Sequence, residues 1–169
     1  MAPSAVDPDP VPDTTSNLSE IASCRTVLSS EDAPLAKRFR ALFSLKHYAA
    51  LQPPTSESLP AIKAIAAAFA SPSALLKHEL AYCLGQTRNL ESVPYLRTVL
   101  EDKQEDAMCR HEAAEALGAL EDASSLALLK ELRDDKAEPE VVRETCDIAA
   151  DRIEWAHSKE RIAEKLKQR

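Results

Sequence analysis

Apolar residues recur along this chain at spacings of three and four, with polar positions between them, and the pattern breaks at clusters of Pro, Ser, Asp and Gln. That period belongs to amphipathic helices, not to strands. Leu18, Ile21, Ala22, Val27 and Leu28 predict a first helix beginning after Asn17 or Ser19 and broken at Glu31-Asp32-Ala33-Pro34. Pro34 suits the first turn of the next helix, about Leu35 to Leu51, with Phe39, Leu42, Phe43 and Leu45. Gln52-Pro53-Pro54-Thr55 stops it. A third, Ala-rich helix spans about Ser58 to Ala70, and a fourth about Ala74 to Gln86. A fifth (about Ser92 to Leu100) carries Val93, Leu96, Val99 and Leu100, and a sixth runs from about Ala107 to Leu120. A seventh covers about Ser124 to Arg133, and an eighth starts near Pro139 and continues through Trp155 toward the charged end.

The fourth and sixth helices contain a repeated text. Lys77-His78-Glu79 leads to Leu84-Gly85, and Arg110-His111-Glu112 leads to Leu117-Gly118, an offset of 111 − 78 = 33. Repeats of this length are stacked supersecondary units. Aligning the second helix of each pair puts Phe39, His78, His111 and Arg143 at one position, with offsets of 39, 33 and 32. Arg40, Glu79, Glu112 and Glu144 follow at the next. The prediction is an all-α solenoid of about four helical hairpins, each burying its apolar face against its neighbours.

Composition agrees with this architecture. Of 169 residues, 44% are apolar but only 4% aromatic, so the core must be Ala and Leu, which favours close-packed helices. The 2 glycines are Gly85 and Gly118, expected as helix-ending punctuation, and they leave no Gly-rich phosphate loop. Residues 1–17 are rich in Pro, Asp, Ser and Thr and are expected to form a disordered tail. Residues 18–157 form the repeat domain, and residues 158–169 a charged helical extension or the start of a linker.

A net charge of −7 and a pI near 5.2 argue against nucleic acid or an anionic membrane as partner. A basic partner is the electrostatic match, although such a charge also serves solubility alone. Cys24, Cys83, Cys109 and Cys146 form no Cys-x-x-Cys pair and read as free thiols of a reducing compartment. With no apolar leader or membrane-length run, the expected location is the cytoplasm.

The chemistry-bearing residues are the two His-Glu pairs. Second helices of adjacent hairpins lie side by side, so His78 and His111 can converge, each with a Glu about 100° around its helix. Two imidazoles plus one or two carboxylates suit non-haem iron, and also zinc or manganese. The competing reading is that duplication copied an inert surface dipeptide. Lys77 and Arg110 either neutralise these carboxylates or lie on a solvated face. Tyr82 and Glu115, one turn beyond the histidines, could line the same pocket. His47 and His157 are expected to be solvent-exposed.

In Arg38-Phe39-Arg40-Ala41-Leu42-Phe43-Ser44-Leu45, the segments Leu75 to Gln86 and Arg110 to Ala119, Glu144-Thr145-Cys146 and Arg152-Ile153-Glu154-Trp155, the chain resembles the deoxyhypusine hydroxylases. The resemblance implies a HEAT-like α-solenoid and an iron(II)- and O2-dependent monooxygenase with a di-iron centre. Such an enzyme hydroxylates the deoxyhypusine side chain of a translation factor. It further implies that His78, His111 and Glu112 bind iron, while Glu79 faces the substrate amine, tunes the metal shell or ligates directly. The family uses four His-Glu motifs in two halves and this chain has two, so it reads as an N-terminal half. One iron could then be fully ligated, unless a second half or self-association rebuilds the four-motif face. The alternative function is a non-enzymatic HEAT-repeat scaffold that binds a protein partner without metal.

Overall fold

A computed structural model describes residues 14–167. These form nine α-helices: α1 (Thr14–Ser29), α2 (Leu35–Ala49), α3 (Ser58–Ala67), α4 (Ala74–Gly85), α5 (Val93–Glu101), α6 (Ala107–Ala119), α7 (Leu126–Asp134), α8 (Glu140–Ala156) and α9 (Lys159–Lys167). The first eight make four hairpins, α1–α2, α3–α4, α5–α6 and α7–α8, and no strand occurs among the described residues. Helices α2, α4, α6 and α8 stand side by side in one layer, each touching the next. No described helix is long and apolar enough to cross a membrane.

The repeat register is written in the caps. Pro34, Ser73, Asp106 and Pro139 are the N-cap residues of α2, α4, α6 and α8. The side chains of Ser73 and Asp106 accept from the backbone N–H groups of Leu76 and Met108, satisfying donors that a helix start leaves open. Counting from these caps, Arg38, Lys77, Arg110 and Arg143 are equivalent. Three of them act alike: Arg38 donates through Nε to the Leu28 carbonyl, Arg110 to Leu100 and Arg143 to Arg133. Each clamps its helix to the end of the helix before it. The fourth repeat is therefore shifted by one from the sequence alignment: Glu144, not Arg143, is the counterpart of His111, and Thr145 of Glu112. The Arg-Glu dipeptide imitates a charged His-Glu pair in sequence, whereas the clamp fixes the true register.

The core is aliphatic. Leu42, Leu45, Ile62, Ile65, Leu76, Leu80, Leu84, Leu96, Leu100, Leu117 and Leu129 are fully buried, interleaved with alanines. In α1 only part of the expected face is inside: Ile21 and Leu28 are buried, but Leu18 and Val27 are exposed because α1, at the end of the described stack, packs mainly on α2 and α3.

Gly85 and Gly118 differ in role from the expected helix-ending punctuation. Neither has positive φ; the left-handed positions are Arg88 (φ 52°) and Glu121 (φ 54°), again 33 residues apart. Gly85 is the last residue of α4 and Gly118 the last but one of α6, so both do stand at helix ends. What requires glycine there is that the next repeat comes too close for a side chain. A Cβ on Gly85 would lie 2.7 Å from Ala116 Cβ, and one on Gly118 would lie 3.0 Å from Ala149 Cβ. Small residues draw the second-helix layer together.

Two boundaries also differ. Helix α1 begins at Thr14, inside the segment expected to be a tail, and its first turn is anchored where Asn17 Nδ2 donates to Glu57 Oε1 at 3.3 Å. The rest of that expected tail lies outside the described residues. The eighth helix ends at Ala156, and a separate α9 starts after Ser158, whose Oγ accepts from Arg161 N at 3.2 Å as an N-cap would.

Candidate metal centre

His78 and His111 each occupy the fifth position after their caps, Ser73 and Asp106, on adjacent helices α4 and α6. Their rings therefore emerge on the same face of the layer. Glu112, the sixth position of α6, turns back toward α4. One donor atom from each of His78, His111 and Glu112 lies within 4.8 Å of the other two. His78 Nε2 is 3.1 Å from Glu112 Oε2, and His111 Nε2 is 4.0 Å from the same oxygen. Two imidazole nitrogens and one carboxylate oxygen converging with open space beside them is a donor set that fits a divalent transition metal such as iron(II).

The electrostatics point the same way. Burial pushes the Glu112 carboxyl above its ordinary value; His78 offsets this in part, while Glu115 and Glu79 push it further up. Two of the three charges bearing on this carboxylate are themselves carboxylates. Such a site gains from a bound cation.

Glu79 is not among the three converging residues, although its charge reaches Glu112. The register explains why. A Glu at the sixth position meets the fifth-position residue of the preceding repeat, so Glu112 meets His78, whereas the counterpart for Glu79 is Phe39. His111 in turn meets Thr145: its Nδ1 is 2.6 Å from Thr145 Oγ1. Glu115 lies 3.9 Å from His111 Nε2 and shares with it a cavity of about 230 Å³, lined also by Gly118, Thr145, Ile148, Ala149 and Arg152. Tyr82, at the position equivalent to Glu115, is exposed, with the Lys46 ammonium 5.2 Å from its ring centroid. His47 and His157 are exposed and apart from the three, His157 Nε2 lying 2.9 Å from the Glu121 carbonyl oxygen.

Lys77 and Arg110 neither neutralise the site carboxylates nor lie on a solvated face. Lys77 Nζ donates to both Glu105 oxygens, at 2.5 and 2.7 Å, and Arg110 Nη1 to Glu138 Oε2 at 2.5 Å. These pairs tie each repeat to the loop preceding the next second helix. Thr145, Ile148 and Arg152 go unseen in sequence because the one-residue shift in the fourth repeat hides their place beside His111. The proline caps at 34 and 139 are the signal that would have found them. Cys83, Cys109 and Cys146 are buried free thiols, pushed up by burial to about 12, 11 and 12. They are packing groups in this state rather than nucleophiles.

Residues 61–149 match the family of HEAT repeats. The chain is 78% identical over 144 residues to the deoxyhypusine hydroxylase of Coccidioides immitis (strain RS), covering 85% of this chain and 43% of that protein. It is 65% identical over 167 residues to that of Neosartorya fischeri, covering 99% of this chain and 48% of that protein. Among solved structures, human deoxyhypusine hydroxylase in complex with glycerol superposes with a TM-score of 0.75 at 42% identity, over 85% of this chain and 46% of that one. The chain thus spans about half the length of the curated relatives it matches.

Proposed function

Because the chain belongs to the HEAT-repeat family and aligns with about half the length of several deoxyhypusine hydroxylases, we propose that it is the iron-binding part of such an enzyme. The observation that carries this is the convergence of His78, His111 and Glu112 from two adjacent repeats.

In this reading His78, His111 and Glu112 hold one iron(II), and a bound iron supplies the activation of O2. The overall change is insertion of one oxygen atom into a substrate C–H bond. The other oxygen leaves as water, which takes two electrons from an external reductant and two protons from solvent. This chain's residues bind and orient the substrate, a flexible cationic amine on a translation factor that carries deoxyhypusine. Glu79, outside the triad but close enough for its charge to reach Glu112, holds the substrate ammonium by a charge-assisted hydrogen bond. Glu115, mostly exposed beside His111, adds a second acceptor for a polyamine chain. A second pair of His-Glu motifs, from another segment or another copy, would supply the ligands for the second iron of a di-iron centre. Buried free thiols support a reducing, cytoplasmic location. The scaffold alternative is not favoured, since the curated relatives at 65% and 78% identity are named as hydroxylases.

The test is iron content per chain with native mass on freshly purified protein. About one iron per chain in a monomer supports the half-site. The same ratio in a dimer that hydroxylates the deoxyhypusine-bearing factor supports a reassembled centre. A folded helical protein that takes up no iron on reconstitution overturns the reading.

A further inference from the structure

We propose that Thr145 is a positioning residue that fixes His111 as its Nδ1–H tautomer and aims Nε2 into the metal site. The inference rests on the metal-centre reading above and concerns how one ligand is prepared for it. Thr145 Oγ1 has two close partners: the His111 ring nitrogen Nδ1 at 2.6 Å and the Val141 carbonyl oxygen at 2.7 Å. A hydroxyl carries a single proton, and the carbonyl can only accept. With that proton donated to Val141, the Thr145 oxygen offers His111 a lone pair, and Nδ1 must donate. A neutral imidazole protonated on Nδ1 carries its free lone pair on Nε2. That is the nitrogen facing Glu112 Oε2 at 4.0 Å and Glu115 Oε2 at 3.9 Å.

Ligating histidines are commonly held through their other ring N–H, which sets tautomer and orientation. Here the holder comes from the following repeat. Thr145 takes the register position that Glu112 takes opposite His78. A carboxylate at Thr145 would add a further negative charge beside Glu112 and Glu115. The threonine instead gives His111 a neutral acceptor whose own direction is fixed by its bond to α8. His111 is thereby gripped on its Nδ1 side by α8 and left open on its Nε2 side.

Two measurements decide this. The first is 15N NMR of the metal-free chain at pH about 8, with the His111 signal assigned by its loss in His111→Ala. Nδ1–H is expected in the parent chain and in Thr145→Ser, and a shift toward Nε2–H in Thr145→Val. The second is Zn(II) affinity, with zinc as a redox-silent probe. Thr145→Val should bind about 10-fold more weakly, in line with the loss of an outer partner of a metal ligand, and Thr145→Ser should keep the parent affinity. An Nε2–H His111 in the parent chain, or a Thr145→Val chain unchanged in both readouts, overturns the proposal. So does an equal loss of affinity in Thr145→Ser, which would assign the effect to the methyl group. If His78→Ala leaves Zn(II) affinity unaltered, the metal centre itself fails, while the tautomer of the metal-free chain still decides the role of Thr145.

Discussion

His78 Nε2 lies 3.1 Å from Glu112 Oε2, so this histidine is matched with the carboxylate of the next repeat and not with Glu79 beside it in sequence. The unit of the site is therefore the seam between α4 and α6. That seam is close because Gly85 leaves room for Ala116. A site of this kind needs two successive His-bearing repeats, the second supplying the Glu. On the proposed reading, two motifs in a row then supply the three donors of one site.

The first prediction separates the two glutamates. His78→Ala, His111→Ala and Glu112→Gln each remove a converging donor, and each should take iron from about one per chain to near none while the helical spectrum stays intact. Glu79→Gln should retain iron and weaken binding of the cationic substrate. Metal analysis beside circular dichroism checks this. Full occupancy in Glu112→Gln together with loss in Glu79→Gln would exchange the two roles.

Much of this was legible in the sequence, because Ala and Leu at helical spacing and a 33-residue echo leave few alternatives to stacked hairpins. The two histidines were also legible, since equivalent positions on neighbouring helices face one way. The grouping of His78 with Glu112 came from the family resemblance and not from spacing, because adjacency in sequence suggests dipeptides whereas packing joins successive turns of the solenoid. Thr145 was hidden for a related reason: Arg143-Glu144 mimics a charged pair, and the shift shows in the Pro139 cap and in the clamp from Arg143 Nε to the Arg133 carbonyl. The role of the glycines depends on a neighbour 31 residues away (116 − 85 = 31; 149 − 118 = 31), which no local pattern carries.

Gly85→Ala tests the seam directly. Alanine gains up to about 1 kcal/mol over glycine in helix propensity. The new Cβ, however, would stand 2.7 Å from Ala116 Cβ and 2.9 Å from its Cα, so backbone must move, and overpacking of this kind costs about 1–3 kcal/mol. A net loss of about 1 kcal/mol is expected in urea unfolding. Ala116→Gly in the same chain should recover only part, because the α6 backbone still crowds the new methyl group. A variant more stable than the parent would mean that the layers separate freely.

The Arg110–Glu138 pair is almost wholly buried, with side-chain exposures of 3% and 1%. Glu138 is held below the usual carboxylate range, chiefly by its hydrogen bond from Arg110. Glu138 Oε1 also has Lys103 Nζ at 3.1 Å, so removing Arg110 leaves the carboxylate one buried partner short and not wholly unpaired. Arg110→Met should therefore destabilise by about 1–3 kcal/mol. Adding Glu138→Leu removes the under-partnered carboxylate and should restore part of that loss, although the bond from Arg110 Nε to the Leu100 carbonyl stays lost and Lys103 keeps only Asp135. Chemical denaturation of the two single variants and the double variant measures the coupling. Simple additivity would show that the pair does not act as a unit.

Glu57 should govern part of the acid response of the first two repeats. Hydroxyl groups of Thr55 and Ser56 and the amide of Asn17 hold its carboxyl down to about 2, from an ordinary 4.5. The folded state thus binds this proton less readily than the unfolded state does. A depressed carboxyl contributes its stability above the unfolded value and loses it as pH falls from about 4.5 toward 2. Glu57→Gln should therefore be less stable than the parent near neutrality, with the gap closing across that acid window. Other depressed carboxylates, Asp122 and Glu138 among them, steepen the parent's own acid curve, so the difference between the chains is the informative quantity. Because Asn17 Nδ2 donates to Glu57 Oε1, the loss should appear first as fraying of α1 against α3, seen as faster amide exchange in α1. A gap that stays constant down to pH about 2 would mean that the carboxylate's charge is not what anchors this corner.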